Sequence, residues 1–284
     1  KPFWLRPFPL DGCIGDPSCT SRTPGQPPRA ASQMAWPYTG DVLYIHGWGF
    51  EEWGFTAEEC PMYQQLRVLL AGTGLRLHAP NLHPDGNPKK TQIRAFLDEV
   101  HDLASTLPGG RFTAVIGWSF GGFLASVFQQ ERPESVGALL LCAPAIDNFL
   151  RNYDGVDPGD WSQPKAFVEA LMALPARPHI IVPTVLVHGM LDNDDEGSAP
   201  WRAQEWASNN QFAACYFPKD VDHCLENWLG GEESMDDVPP WRELVAWAIV
   251  TGYRSKQSSP PSLPSCARLE GGANWEAMPR VSAC

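Results

Sequence analysis

The chain is short of positive charge, of long apolar runs and of cysteine, and each shortage removes a class of function. Lys and Arg number 21 against 33 Asp and Glu, a net charge of −12 at pH 7. Such a surface repels phosphate backbones and anionic headgroups, which argues against nucleic-acid and membrane-surface partners. No apolar run approaches the roughly 20 residues that a helix needs to cross a bilayer, so no membrane span is expected. Eight cysteines in 284 residues are too sparse for a disulfide scaffold. Cys142 in "LLLCAP" and Cys215 in "AACYF" read as inert strand residues, while Cys13 with Cys19 and Cys266 with Cys284 remain open pairings. Methionine is missing from the first position, and "KPFWLRPFPL" holds too many prolines for a signal-peptide core. These features predict a soluble, intracellular chain, cytoplasmic or organellar, whose targeting segment is absent or already removed. They set no oligomeric state.

What the chain has is a hydrophobic share of 43%, ample for a sizeable core. Residues 1–37 carry prolines at 2, 7, 9, 17, 24, 27, 28 and 37 without periodicity and read as an irregular arm; residues 253–284, with "SSPPSLPSC", read as an irregular tail. Between them, over 38–252, short apolar runs alternate with helical patterns. The runs are "DVLYIHG" (41–47), "LRLHAP" (75–80), "FTAVIG" (112–117), "ALLLCAP" (138–144), "PTVLVHG" (183–189) and "FAACYF" (212–217). Their hydrophobicity is nearly continuous, as strands buried on both faces require. "YQQLRVLLAG", "TQIRAFLDEVHDLASTL" and "SFGGFLASVFQQ" read as helices. Strand followed by helix, about five times over, predicts an α/β fold with a mostly parallel central sheet and helices on both faces. Ligands of such sheets bind beyond the carboxyl ends of the strands.

One such end breaks the pattern. In "AVIGWSFGGFLAS" three glycines fall within six residues between a strand and a helix, where glycine is otherwise costly. Gly117-Trp118-Ser119-Phe120-Gly121 fits G-x-S-x-G in the strand-turn-helix setting of a nucleophile elbow. A serine hydroxyl needs a base, and the base an orienting acid, in the chain order Ser, Asp or Glu, His. Asp192 lies just beyond "PTVLVHG", and His223 lies in the loop after "FAACYF". An oxyanion needs two donors: the Phe120 N–H directly after the serine, and the Trp48 N–H in "YIHGWGFEEWG". His46 in that loop reads as a brace rather than the base. Phe50, Trp53 and Trp118, with Trp48 and Phe120, cluster in sequence around the two loops and are expected to line an apolar substrate pocket.

With these residues in view, the chain resembles an α/β-hydrolase over about residues 40–252, through "HGWG", "GWSFGG", "HGMLD" and the late His223. "HGWG" with "GWSFGG" is similar to the pimeloyl-carrier-protein methyl esterases. "APNL", "DVDHCLEN" and a short insertion at 147–182, read as a cap, look more like small acyl esterases and palmitoyl-protein thioesterases. The resemblance implies a cofactor-free serine hydrolase acting on a small-molecule acyl ester or thioester. A haloperoxidase, a carbon-carbon bond hydrolase or an acyltransferase would use the same triad, and a ligand-binding relative without catalysis is a further alternative.

Other polar groups take plainer readings. The run from Asp192 through Asp194 and Asp195 to Glu196 opens like an EF-hand loop, yet its closing position falls on Ala203. His78, His83 and Asp85 lack the spacing of a zinc site, so no metal is expected. Cys224, beside His223, reads as a packed loop residue.

Overall fold

In the computed structural model, which describes residues 38–48, 56–148, 164–192, 199–210, 212–229 and 238–255, each apolar run contributes one strand. These are β1 (Thr39–Ile45), β2 (Gly74–His78), β3 (Ala114–Trp118), β4 (Leu139–Cys142), β5 (Thr184–Val187) and β6 (Phe212–Tyr216). They form a sheet in the order β2-β1-β3-β4-β5-β6, with every neighbouring pair parallel.

Successive residues of the inner strands feed two separate apolar clusters, which is why the strands read as continuous rather than alternating. Leu43, Val115, Leu141 and Leu186 belong to one cluster, and Tyr44, Ile116, Leu140 and Val187 to the other. The first is covered by α2 (Ile93–Thr106), α3 (Phe120–Glu131), α4 (Lys165–Ala173) and α5 (Pro200–Ser208) through Phe96, Phe123, Phe167 and Trp206. The second is covered by α1 (Pro61–Leu70), α6 (Glu226–Leu229) and α7 (Trp241–Arg254) through Leu66, Trp228 and Leu244. Each such aliphatic side chain, fully buried, contributes roughly 1.5–3 kcal/mol. β2 departs from the expectation: it is an edge strand, with Leu75 buried between exposed Gly74 and Arg76, because it has a neighbour on one side only.

The strand order places the site. From β1 the chain crosses to β2 on one side, then returns to β3 on the other side of β1, so the carboxyl ends of β1 and β3 flank the point where the order reverses. That crevice is where an open α/β sheet receives a ligand. His46 to Trp48 leave β1 there, and Ser119 leaves β3.

Of the expected cap at 147–182, residues 147–148 and 164–182 are described. The wholly buried Asp147 carboxylate receives Arg177 and Arg202, and the Asn148 side-chain amide donates to the Leu171 carbonyl at 2.6 Å, so both ends of the segment are tied together. α7 runs to Arg254, past the expected end at 252, because its apolar face stays packed through Thr251 and Gly252. The arm at 1–37, the tail beyond 255 and Cys13, Cys19, Cys266 and Cys284 lie outside the described residues. Among the described residues no helix is long and apolar enough to cross a membrane.

Candidate active site

Ser119 stands between β3 and α3 with φ 53° and ψ −124°, a conformation that costs a non-glycine residue of order 1–3 kcal/mol and needs its surroundings to impose it. Its N–H donates to the Cys142 carbonyl at 3.0 Å, and its own carbonyl accepts from Gly122 at 2.9 Å and Ala145 at 3.0 Å. The turn also depends on close backbone approach. A Cβ on Gly121 would collide with the carbonyls of Ile45 and His46, and one on Gly117 would come within 2.7 Å of the Gly121 carbonyl and the Gly122 Cα. α3 therefore starts at once, at Phe120.

The sequence-expected base and acid meet this serine. His223 Nε2 lies 2.8 Å from Ser119 Oγ, and His223 Nδ1 lies 2.8 Å from Asp192 Oδ2. With Nδ1–H donating to the carboxylate, Nε2 is left to accept the serine proton. Asp192 is fully buried. Burial alone would raise its carboxyl, but the charge of His223 and the contacts of His188 and His223 outweigh it and hold the group well below the usual carboxylate range. The two loops interlock: Met190 N–H donates to the Pro218 carbonyl at 2.8 Å and Leu191 N–H to the Val221 carbonyl at 3.0 Å.

The loop after β1 lies against Ser119, for a Cβ on Gly47 would sit 3.1 Å from Ser119 Cβ. His46, wholly buried, accepts from the Leu82 N–H on Nε2 at 2.9 Å, so its proton is on Nδ1 and is donated to the Gly47 carbonyl at 2.8 Å. Burial pulls its pKa down to about 4, against the opposing Gly47 bond. Turning the Gly47 carbonyl toward the imidazole points the Trp48 N–H of the same planar peptide the other way. That N–H makes no hydrogen bond among the described residues. The Trp48 ring packs at 5.4 Å from Phe120, 5.0 Å from Phe167 and 4.7 Å from His83.

Not every expected residue takes its expected place. Trp118 belongs with the opposite apolar cluster from Trp48 and Phe120, and its indole N–H donates to the His223 carbonyl at 3.1 Å. It braces the loop that carries His223, with its ring 6.0 Å from the His223 ring. Phe50, Trp53, Asp194, Asp195 and Glu196 lie outside the described residues. His78 pairs with Asp41 at 2.7 Å and His83 with Thr91 Oγ1 at 2.6 Å; among the described residues no three His, Cys, Asp or Glu converge as a metal site would require. Burial pushes the Cys215 thiol up to about 12 and Cys142 well above the ordinary range, the marks of unreactive thiols. Sequence reasoning overlooked Phe167, which no motif flags, and His188. The latter had a signal: it ends a strand four residues before the acid.

Known proteins match this chain mainly in shape. No curated protein matches the sequence. Est1E from Butyrivibrio proteoclasticus, solved with ferulic acid bound, is 17% identical with a TM-score of 0.51, over 77% of this chain and 89% of that one. A probable hydrolytic enzyme from Pseudomonas aeruginosa is also 17% identical with a TM-score of 0.51, over 66% of this chain and 82% of its own. At such identity the likeness is one of fold. The family model described as the Alpha/beta hydrolase family matches residues 42–281, most of the chain, and with the parallel sheet it shows that the chain belongs to that family.

Proposed function

We propose that the chain is a serine hydrolase that cleaves a carboxylic ester or thioester with an apolar acyl group, without a cofactor. The observation that carries the reading is the unbroken relay from Ser119 Oγ through His223 to Asp192, with both links at 2.8 Å, at a strained strand-to-helix turn. Ser119 Oγ attacks the acyl carbonyl as His223 Nε2 takes its proton, and Asp192 holds the imidazole tautomer and stabilises the imidazolium. The N–H groups of Trp48 and Phe120 bind the oxyanion. Collapse of the tetrahedral intermediate expels the alcohol or thiol, which takes the proton from His223. Water, deprotonated by the same histidine, then releases the acid from the acyl-enzyme.

The apolar acyl preference is supported by the rings of Trp48, Phe120 and Phe167, packed together beside the proposed oxyanion donors. The experiment is a series of p-nitrophenyl esters of graded chain length beside acyl thioesters, run on the parent and on Ser119→Ala. Each buried methylene adds about 0.8 kcal/mol, so kcat/KM rises from acetate through medium chains and then levels. Ser119→Ala loses about 10⁶-fold in kcat and no longer takes a fluorophosphonate label. Retained labelling, or a peak at acetate, sinks the nucleophile or the acyl preference respectively.

A further inference from the structure

We infer that His188 is a positioning residue for this reaction, presenting a ring N–H to the same Asp192 oxygen that receives His223 and so setting how tightly the carboxylate holds the base. The inference rests on the proposed triad. His188 directly follows β5; its backbone N–H donates to the Tyr216 carbonyl at 2.9 Å, and its ring is wholly buried. Nε2 lies 2.9 Å from Asp192 Oδ2, the atom that His223 Nδ1 reaches at 2.8 Å. The contact is close but does not meet hydrogen-bond geometry, and neither ring nitrogen has a hydrogen-bond partner among the described residues.

Those facts fix the proton. A doubly protonated ring would bury a charged N–H with nothing to accept it, a larger penalty than an unmet lone pair. A ring protonated on Nδ1 alone would turn a lone pair on an anionic oxygen. The neutral ring with hydrogen on Nε2 remains. An oxygen shared between two N–H groups binds each less strongly, so His188 weakens the pull of Asp192 on the His223 imidazolium. His223 thereby stays neutral, and able to accept the serine proton, to lower pH.

Other charged or titratable groups on the neighbouring elements are engaged elsewhere. Cys142 on β4 and Tyr216 on β6 belong to the cluster on the opposite face from Leu186. Asp147, past β4, is closed by Arg177 and Arg202. Asp222, before His223, accepts from the N–H groups of Cys224 and Leu225, and Cys224 is partly exposed beyond it.

The test is kcat/KM for p-nitrophenyl butyrate against pH in the parent, His188→Leu and His188→Gln. In His188→Leu the acid limb moves to higher pH by roughly half to one unit, and in His188→Gln, whose amide N–H can take the place of Nε2–H, it returns toward the parent. A purely structural residue would lower the plateau without moving the limb, and an unmoved limb in His188→Leu overturns the inference. Should that variant not fold, ¹⁵N-histidine spectra of the parent decide: the His188 ring carries its hydrogen on Nε2, and the other tautomer overturns the inference. Activity that survives Ser119→Ala defeats the triad itself; Ser119-dependent activity with an unmoved limb defeats only the role of His188.

Discussion

Around Ser119 a strained turn of backbone does the holding, whereas around Asp192 and His223 two separate loops are joined by main-chain and side-chain hydrogen bonds together. The serine turn is fixed by backbone: a strained φ, two glycines with no room for a Cβ, and main-chain contacts with the ends of β1 and β4 and the start of α3. Asp192 and His223 are linked across 31 residues, and His223 and Ser119 across 104. Their alignment comes from two loops tied to each other by main-chain bonds, with Trp118 reaching over from the elbow. The first region is closed by main-chain contacts and has no room for a Cβ on Gly117 or Gly121. The second is assembled by the sheet and is adjustable through its hydrogen bonds.

Four changes test that contrast. The largest effect belongs to Asp192→Asn, which removes the acceptor that fixes the His223 tautomer; kcat falls by about 10⁴ while thermal unfolding stays cooperative, and a loss below tenfold shows that another carboxylate orients the base. Next is Gly121→Ala. Its new methyl meets the Ile45 and His46 carbonyls, so stability drops by about 3 kcal/mol and activity falls with it; an unchanged denaturation midpoint shows that the elbow is not closed in the way described.

The third concerns pH. His46 must stay neutral to accept from Leu82, and its folded pKa of about 4 lies below the ordinary value of 6.5. Unfolded chains therefore bind this proton first as pH falls. Its contribution is complete above about pH 6.5 and drains away toward about pH 4, a loss of a few kcal/mol. Buried His83, lowered to about 3 chiefly by burial, adds loss in the same direction. Urea unfolding across this range measures the slope; a flat profile shows that neither imidazole is held neutral. The smallest effect is that of Trp118→Phe, which keeps the ring but removes the donor to the His223 carbonyl. It costs about 1 kcal/mol and lowers kcat more than it raises KM; a change in KM alone would return Trp118 to the pocket wall.

Much of this was legible in the sequence because it depends on periods and spacings that a chain carries by itself. Continuous apolar runs of strand length, separated by helical patterns, specify strands buried on both faces, and β1, β3, β4 and β5 are so buried. Gly117, Ser119 and Gly121 mark a strand-to-helix turn because only glycine admits such backbone approach. Where the chain contributes a single neighbour, at β2, composition alone did not reveal the edge.

Sequence, then, determined the α/β alternation, the elbow and the order in which a serine, an acid and a histidine follow strands, since each follows from short local patterns read in chain order. Only the tertiary structure decided which face each aromatic occupies: Trp118 and Phe120 are two residues apart, yet they belong to opposite cores because one ends a strand and the other opens a helix. It alone brought Phe167 to Trp48, and His188 and His223 to the same oxygen of Asp192. Those contacts join loops at the ends of separate strands, and the distance between such loops is set by the sheet's order and spacing rather than by the chain that connects them.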